Sequence, residues 1–197
     1  MPNWNQNTVE IKGPTTKLKA YSETFKDGEG LFNTILPLPK QLEDTTAPTP
    51  VDSDQPLFGG ATNWYDWRVQ NWGTKWDVGE GYTNELKDLN SLEAKSCSHN
   101  PTRTKCSILT LAFDTAWAPP LGIYEELVRQ GFRVKAYYYE PSMDFAGCWE
   151  DGDDYSITIS DNDHLSKFWG FGIGKELDDE FNICETMAQY DEDKETA

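Results

Sequence analysis

The 197 residues carry 34 acidic against 17 basic side chains, a formal net charge of −17, with an isoelectric point near 4.4. Most of such a surface repels phosphate backbones and anionic lipid, which argues against direct nucleic-acid or membrane binding. Hydrophobic residues at 37% and aromatics at 13%, eight tryptophans among them, supply a core and set the chain apart from a disordered acidic tail.

In chain order, Val9 and Ile11 share one face of a first predicted strand over 7–12, closed by Gly13-Pro14. Leu18, Tyr21, Ser22 and Phe25 recur at helical spacing before Asp27-Gly28. Residues 37–60 hold Pro37, Pro39, Pro48, Pro50 and Pro56, so a long inserted loop is expected, too interrupted for a lasting helix or a central strand. Trp64, Trp67 and Trp72 fall on one side of a 3.6-residue period, which predicts a helix stopped near Gly73. Residues 82–105 read as weak strand plus loop.

The clearest pattern lies between Cys106 and Ser160. Leu109, Leu111 and Phe113 share one face of a strand and Ile108 and Ala112 the other, so both faces are expected to be covered near its centre. Pro119-Pro120 opens a helix with a stripe of Leu121, Tyr124, Leu127 and Val128, and Gly131 caps it. Phe132, Val134, Ala136 and Tyr138 alternate along another strand, as do Tyr155, Ile157 and Ile159, and the two are expected to be antiparallel neighbours. An irregular return is expected over 165–174, then a helix over 175–190 and a frayed end. Together these elements predict an α+β fold, a split βαβ antiparallel sheet with helices on one face.

The chemistry-bearing residues are sparse. Cys97, Cys106, Cys148 and Cys184 form no CxxC pair, and reduced thiols are expected; Cys97, His99 and Cys106 lack the tight spacing of a zinc finger. The acids around Asp151–Asp163 do not match a twelve-residue calcium loop. His99 and His164 stand beside no nucleophile motif, so neither metal, cofactor nor catalysis is expected. No window approaches eighteen apolar residues, and the N-terminus lacks a basic and an apolar region, which points to the cytoplasm.

Three strings, MPNWNQNTVEIKG at 1–13, NWGTKWD at 71–77 and FDTAWAPPLG at 113–122, with Tyr139-Glu140 and Phe145-Ala146-Gly147, resemble the phage- and plasmid-borne YubB-type proteins. The resemblance covers roughly 1–150 and implies a ferredoxin-like domain and a mobile-element origin in a bacterial host. It implies no activity. The expected organisation is a ferredoxin-like domain over 1–160, with the Pro-rich insertion, and an acidic extension over 161–197 packed on it.

Two functions are favoured by these residues, ahead of a third, a minor hydrolase with a carboxylate-bound metal. Residues 1–139 are nearly balanced, 17 acids to 14 bases, whereas 140–197 hold 17 acids and 3 bases. Glu150, Asp151, Asp153, Asp154, Asp161, Asp163, Glu176, Asp178, Asp179 and Glu180 would then form an anionic face that mimics DNA. Its partner would be a basic, nucleic-acid-handling host protein, such as a defence nuclease or a transcription component, which the binding inhibits or redirects. The alternative is a small-ligand or nucleotide site in which Trp72, Lys75, Trp76, Asp77 and Trp117 supply an aromatic wall and a charged pair. Trp72 and Trp76 also have a simpler role as core plugs.

Overall fold

Six antiparallel strands in the order β2-β3-β1-β4-β5-β6 form one open sheet in the computed structural model, which describes residues 3–26, 30–50, 56–78, 83–89 and 105–196. Strand β1 (Trp4–Pro14) and strand β3 (Cys106–Ala116) pair along their whole length, from Trp4 opposite Ala116 to Pro14 opposite Cys106. Strand β4 (Arg133–Glu140) lies on the other side of β1, and strand β2 (Thr83–Asp88) borders β3. Strands β5 (Phe145–Glu150) and β6 (Asp153–Thr158) extend the sheet beyond β4.

The period-2 rule explains the layers. Val9 and Ile11 of β1, Leu109, Leu111 and Phe113 of β3, Val134 and Ala136 of β4 and Trp149 of β5 are buried in the main core. Packed onto this face are α1 (Thr15–Lys26), α2 (Leu31–Ile35), α4 (Trp64–Trp72) and α5 (Leu121–Arg129), through residues such as Leu18, Phe32, Trp67, Trp72, Ile123 and Leu127. Helices α1, α2 and α4, with the single turn α3 (Lys40–Glu43), lie between β1 and β2, while α5 connects β3 to β4. Both connections therefore pass over a strand that lies between their ends.

Several expectations need correction. Helices do not keep to one face: α6 (Gly172–Phe181) and α7 (Ile183–Thr196) join Tyr139, Ala146, Ile159 and Trp169 in a second core on the opposite face. The strands around Val134 and Ile157 are not neighbours, because β5 lies between them. The described part of the Pro-rich stretch, by contrast, is as interrupted as expected: it holds only the single helical turn α3 and an isolated bridge between Phe58 and Ala61. The C-terminal helix starts at Gly172 rather than 175, and it breaks at Asn182, whose left-handed φ of 52° interrupts the backbone ladder. Helical structure then runs on to Thr196, where fraying was expected. Within 82–105, β2 is the strand, and 90–104, with Cys97 and His99, lies outside the described residues.

Candidate functional site

The best-assembled surface feature arises where the strings NWGTKWD and AWAPPLG meet. Helix α4 starts at Asn63, whose Oδ1 accepts from the Asp66 backbone N–H at 2.9 Å, and ends at Gly73 with φ 89°. The next residue, Thr74, is buried and donates its hydroxyl to the Ala116 carbonyl at 3.0 Å. That bond brings Lys75 and Trp76 to the end of β3, beside Trp117 and beside Trp4, the partner of Ala116 in the sheet register.

Trp117 adopts φ 68°, a left-handed conformation that costs a bulky residue about 1–3 kcal/mol and survives only where its surroundings impose it. Here the constraint is visible. The Trp117 N–H donates to the Asn3 carbonyl at 2.9 Å, and the buried Thr115 hydroxyl donates to the Ala118 carbonyl at 2.8 Å. Thr115 is itself fixed by the Asn7 amide at 2.9 Å, and Asn7 accepts from the buried Tyr124 hydroxyl at 3.1 Å.

The result is a row of rings. Trp76 lies between Trp4 and Trp117, with centroids 6.2 Å and 6.3 Å away and the second pair stacked at 28°. Trp4 is 49% and Trp117 43% exposed, so both present ring surface to solvent. The Lys75 ammonium sits among three rings, 4.6 Å from Trp76, 5.5 Å from Tyr65 and 5.7 Å from Trp117.

Lys75 and Tyr65 also line a groove of about 470 Å³ at the start of α4. Its polar lining is cross-linked: Asn63 Nδ2 donates to Thr49 Oγ1 at 2.7 Å and to Asp66 Oδ2 at 2.8 Å, and the Thr62 hydroxyl donates to the same oxygen at 3.0 Å. Trp64 supplies an apolar wall, braced from behind by the Arg68 guanidinium, which also stacks 4.7 Å from the Trp72 ring centre. Burial pulls the Arg68 pKa down, and Asp77 partly offsets it.

Of the five residues expected around a ligand, the structure brings Lys75, Trp76 and Trp117 together and assigns Trp72 and Asp77 to other work. Trp72 is fully buried, edge-on to Phe32 and Trp67, with its indole N–H donating to the Leu36 carbonyl at 2.9 Å. Asp77 accepts from the Phe32 and Asn33 backbone N–H groups at 2.8 and 2.9 Å, capping α2. Trp4 and Tyr65 complete the cluster. Trp4 stood in the opening string all along, on the strand face opposite the buried Asn5 and Asn7.

The ten carboxylates do not form one cluster. Asp151 lies in the β5–β6 turn and Asp153 and Asp154 open β6; Asp151 accepts from Arg133 Nε at 2.9 Å and from the Val134 N–H at 2.8 Å. Asp154 takes the Tyr138 hydroxyl at 2.6 Å, while Glu150 and Asp153 are exposed. Asp161 and Asp163 lie past the far end of β6, a strand spanning roughly 17 Å at 3.3 Å per residue. Asp163 accepts from the Leu165 N–H at 2.9 Å.

On α6, Glu176 accepts from Lys135 Nζ at 2.9 Å and the Tyr137 hydroxyl at 2.6 Å. Those two bonds, Tyr137 first, hold its carboxyl below the usual glutamate range. Burial, then Glu176, pushes the Tyr137 phenol up to about 12. Asp178 accepts from the Cys184 N–H at 2.8 Å, Asp179 pairs with Lys175, and Glu180 is exposed. Among the described residues no group of three or more His, Cys, Asp or Glu is placed to hold a metal ion, and Cys106 is buried in β3. No helix among them is long and apolar enough to cross a membrane.

No family model matches the chain, and no curated protein matches it. Among solved structures it is similar to the protein api92 from Yersinia pseudotuberculosis, described with the family model DUF1281. The identity is 19%, the TM-score 0.33, and the match covers 51% of this chain and 31% of that one. This chain therefore spans less than a third of that protein's length.

Proposed function

We propose that this chain is a non-enzymatic binding module that takes a small molecule with a planar ring against the Trp4–Trp76–Trp117 row and the adjoining groove. The observation that carries the reading is the exposed, pre-set Trp117 ring: its left-handed backbone is imposed by the bond to the Asn3 carbonyl and by the Thr115 bond to the next carbonyl, and its ring is left 43% exposed at one end of the row whose other end is the open Trp4. A hydrophobic ring on the surface, fixed in a strained conformation and flanked by a groove of about 470 Å³, has the size and composition of a small-ligand site.

The ferredoxin-like reading belongs to the same proposal. It is supported by the strand order β2-β3-β1-β4 and by two helical connections that each pass over an intervening strand. The likeness of the three quoted strings to YubB-type proteins is consistent with it.

Tryptophan fluorescence during titration with planar-ring compounds, purine nucleosides and indoles first, tests the site. Saturable quenching is expected, and Trp117→Ala is expected to weaken binding about tenfold, the loss of one stacking surface, with its melting temperature little changed. Absence of saturable binding by every ring tested would remove the reading.

A second reading draws on one observation about the C-terminal helices. Asp179, Glu180, Glu185, Asp191 and Glu192 are all exposed on α6 and α7, so the two-helix layer carries the acidity outward. On this reading a mobile-element accessory protein docks that layer on a basic host protein. Capture of nucleic-acid-handling proteins from a bacterial lysate should then fall as salt rises and be lost in the triple variant Asp179→Asn, Glu180→Gln, Glu185→Gln. Capture indifferent to both changes would count against it.

A further inference from the structure

We infer that the ligand of the tryptophan groove is an anion, a planar ring bearing one or two negative charges, with its charged group seated against Lys75. This rests on the ring-binding reading above and adds the chemical class of the ligand.

The argument begins with what Lys75 lacks. The chain holds 34 acidic against 17 basic side chains. Lys12 meets Glu10, Lys135 meets Glu176, Lys175 meets Asp179, Arg129 meets Glu126 and Arg133 meets Asp151. Lys75 has no carboxylate within ion-pair distance among the described residues; three aromatic rings hold its ammonium instead.

Two acids near it, Asp66 in the groove lining and Asp77 two residues along the chain, point their oxygens at other donors. Asp66 accepts from Thr62 and Asn63, and Asp77 accepts from the Phe32, Asn33 and Val78 backbone N–H groups. Rings fix a cation without neutralising it, because the attraction comes from the ring quadrupole rather than from a counter-charge. Lys75 thus presents a positioned ammonium with no ion-pair partner among the described residues, on the same groove lining as Asp66 and next to the ring row.

The size of the anion is limited by the rest of the molecule. A net charge of −17 repels a polyanion that extends beyond the groove, whereas screening over about 8 Å at physiological salt leaves a short anion to the groove's own charges, of which Lys75 is the cation and Asp66 sets the side it must avoid. Nucleoside monophosphates and aryl carboxylates share the required chemistry.

The test compares matched pairs that differ in charge: adenosine 5′-monophosphate with adenosine, and indole-3-carboxylate with indole. Choline serves as a cation that would compete with Lys75 for the rings. At least one anion is expected to bind about tenfold or more tighter than its neutral counterpart, the scale of a hydrogen bond to a charged group. Lys75→Met should erase that difference and Lys75→Arg should retain it, with circular dichroism and melting temperature confirming that both variants fold.

The nucleotide and carboxylate arms identify which source of charge the groove accepts. Equal affinity within both pairs, a preference that survives Lys75→Met, or tighter binding of choline than of either anion would overturn the inference. Neutral rings that bind in a Trp117-dependent way without any anion preference would leave the ring-binding reading standing while removing this one. Absence of binding by every probe would end both.

Discussion

Replacing Trp72 by alanine is expected to lower the unfolding free energy by about 3–5 kcal/mol, the cost of deleting a large buried ring. The side chain is fully buried, packs edge-on to Phe32 and Trp67, and its indole N–H satisfies the Leu36 carbonyl. Alanine leaves a cavity at the junction of α2 and α4 and strands that carbonyl, and the Arg68 guanidinium loses one of its two stacking surfaces. Chemical denaturation measures the effect. Trp117→Ala provides the contrast, since a ring 43% exposed should change stability far less while changing binding more. A Trp72→Ala protein of near-normal stability and impaired ligand binding would return Trp72 to the ligand site.

Gly122→Ala is expected to cost at least about 1–3 kcal/mol, the range for forcing atoms into a packed interior, despite adding a single methyl group to a helix. A Cβ at Gly122 would lie 2.0 Å from the Asn71 carbonyl oxygen and 2.8 Å from its carbon, and backbone cannot swing aside as a side chain can. Across the same contact, a Cβ at Gly73 would lie 3.0 Å from the Pro119 carbonyl oxygen and 3.1 Å from the Leu121 nitrogen. The two glycines let the end of α4 and the start of α5 touch backbone to backbone, and this places Lys75 and Trp76 beside Trp117. Separating them should therefore weaken binding at the ring row as well as stability. Gly170→Ala is the control: an added Cβ there meets nothing within 4 Å, and a shift inside about ±0.5 kcal/mol is expected. Equal effects at Gly122 and Gly170 would contradict the backbone-contact account.

These contacts also explain which parts of the fold were legible beforehand. Strand β3, helix α5 and strand β4 follow one another with regular periodicity and clear stops, because each buries one well-defined face against the main core. Strand β5 was missed. Ala146, Gly147, Cys148 and Trp149 are buried in succession between the two cores, and alternation disappears when both faces are covered. Helical periodicity likewise could not divide the C-terminal helix at Asn182, since that break is a left-handed turn at one residue.

For the site, composition singled out the tryptophans without distinguishing their roles. Trp72 and Trp76 stand four residues apart, yet Gly73 ends the helix between them, so one points into the core and the other stacks in the exposed row. Trp4 fell outside the strand expected over 7–12, and so its place on the outward face of β1 was not visible. Charge counting found the excess of acids in the last third and could not see that Asp151, Asp154, Asp178 and Glu176 were committed to hydrogen bonds within the fold.

Among the described residues the open sheet ends in two border strands, β2 and β6, whose outward amide and carbonyl groups would otherwise template fibril-like stacking of one molecule on the next. Strand β6 begins with Asp153 and Asp154, so an in-register parallel neighbour would set each carboxylate against its own copy, and β2 is studded with Glu85, Lys87 and Asp88. The acidity of the C-terminal third thus protects the molecule against its own kind at high concentration, whatever else it meets.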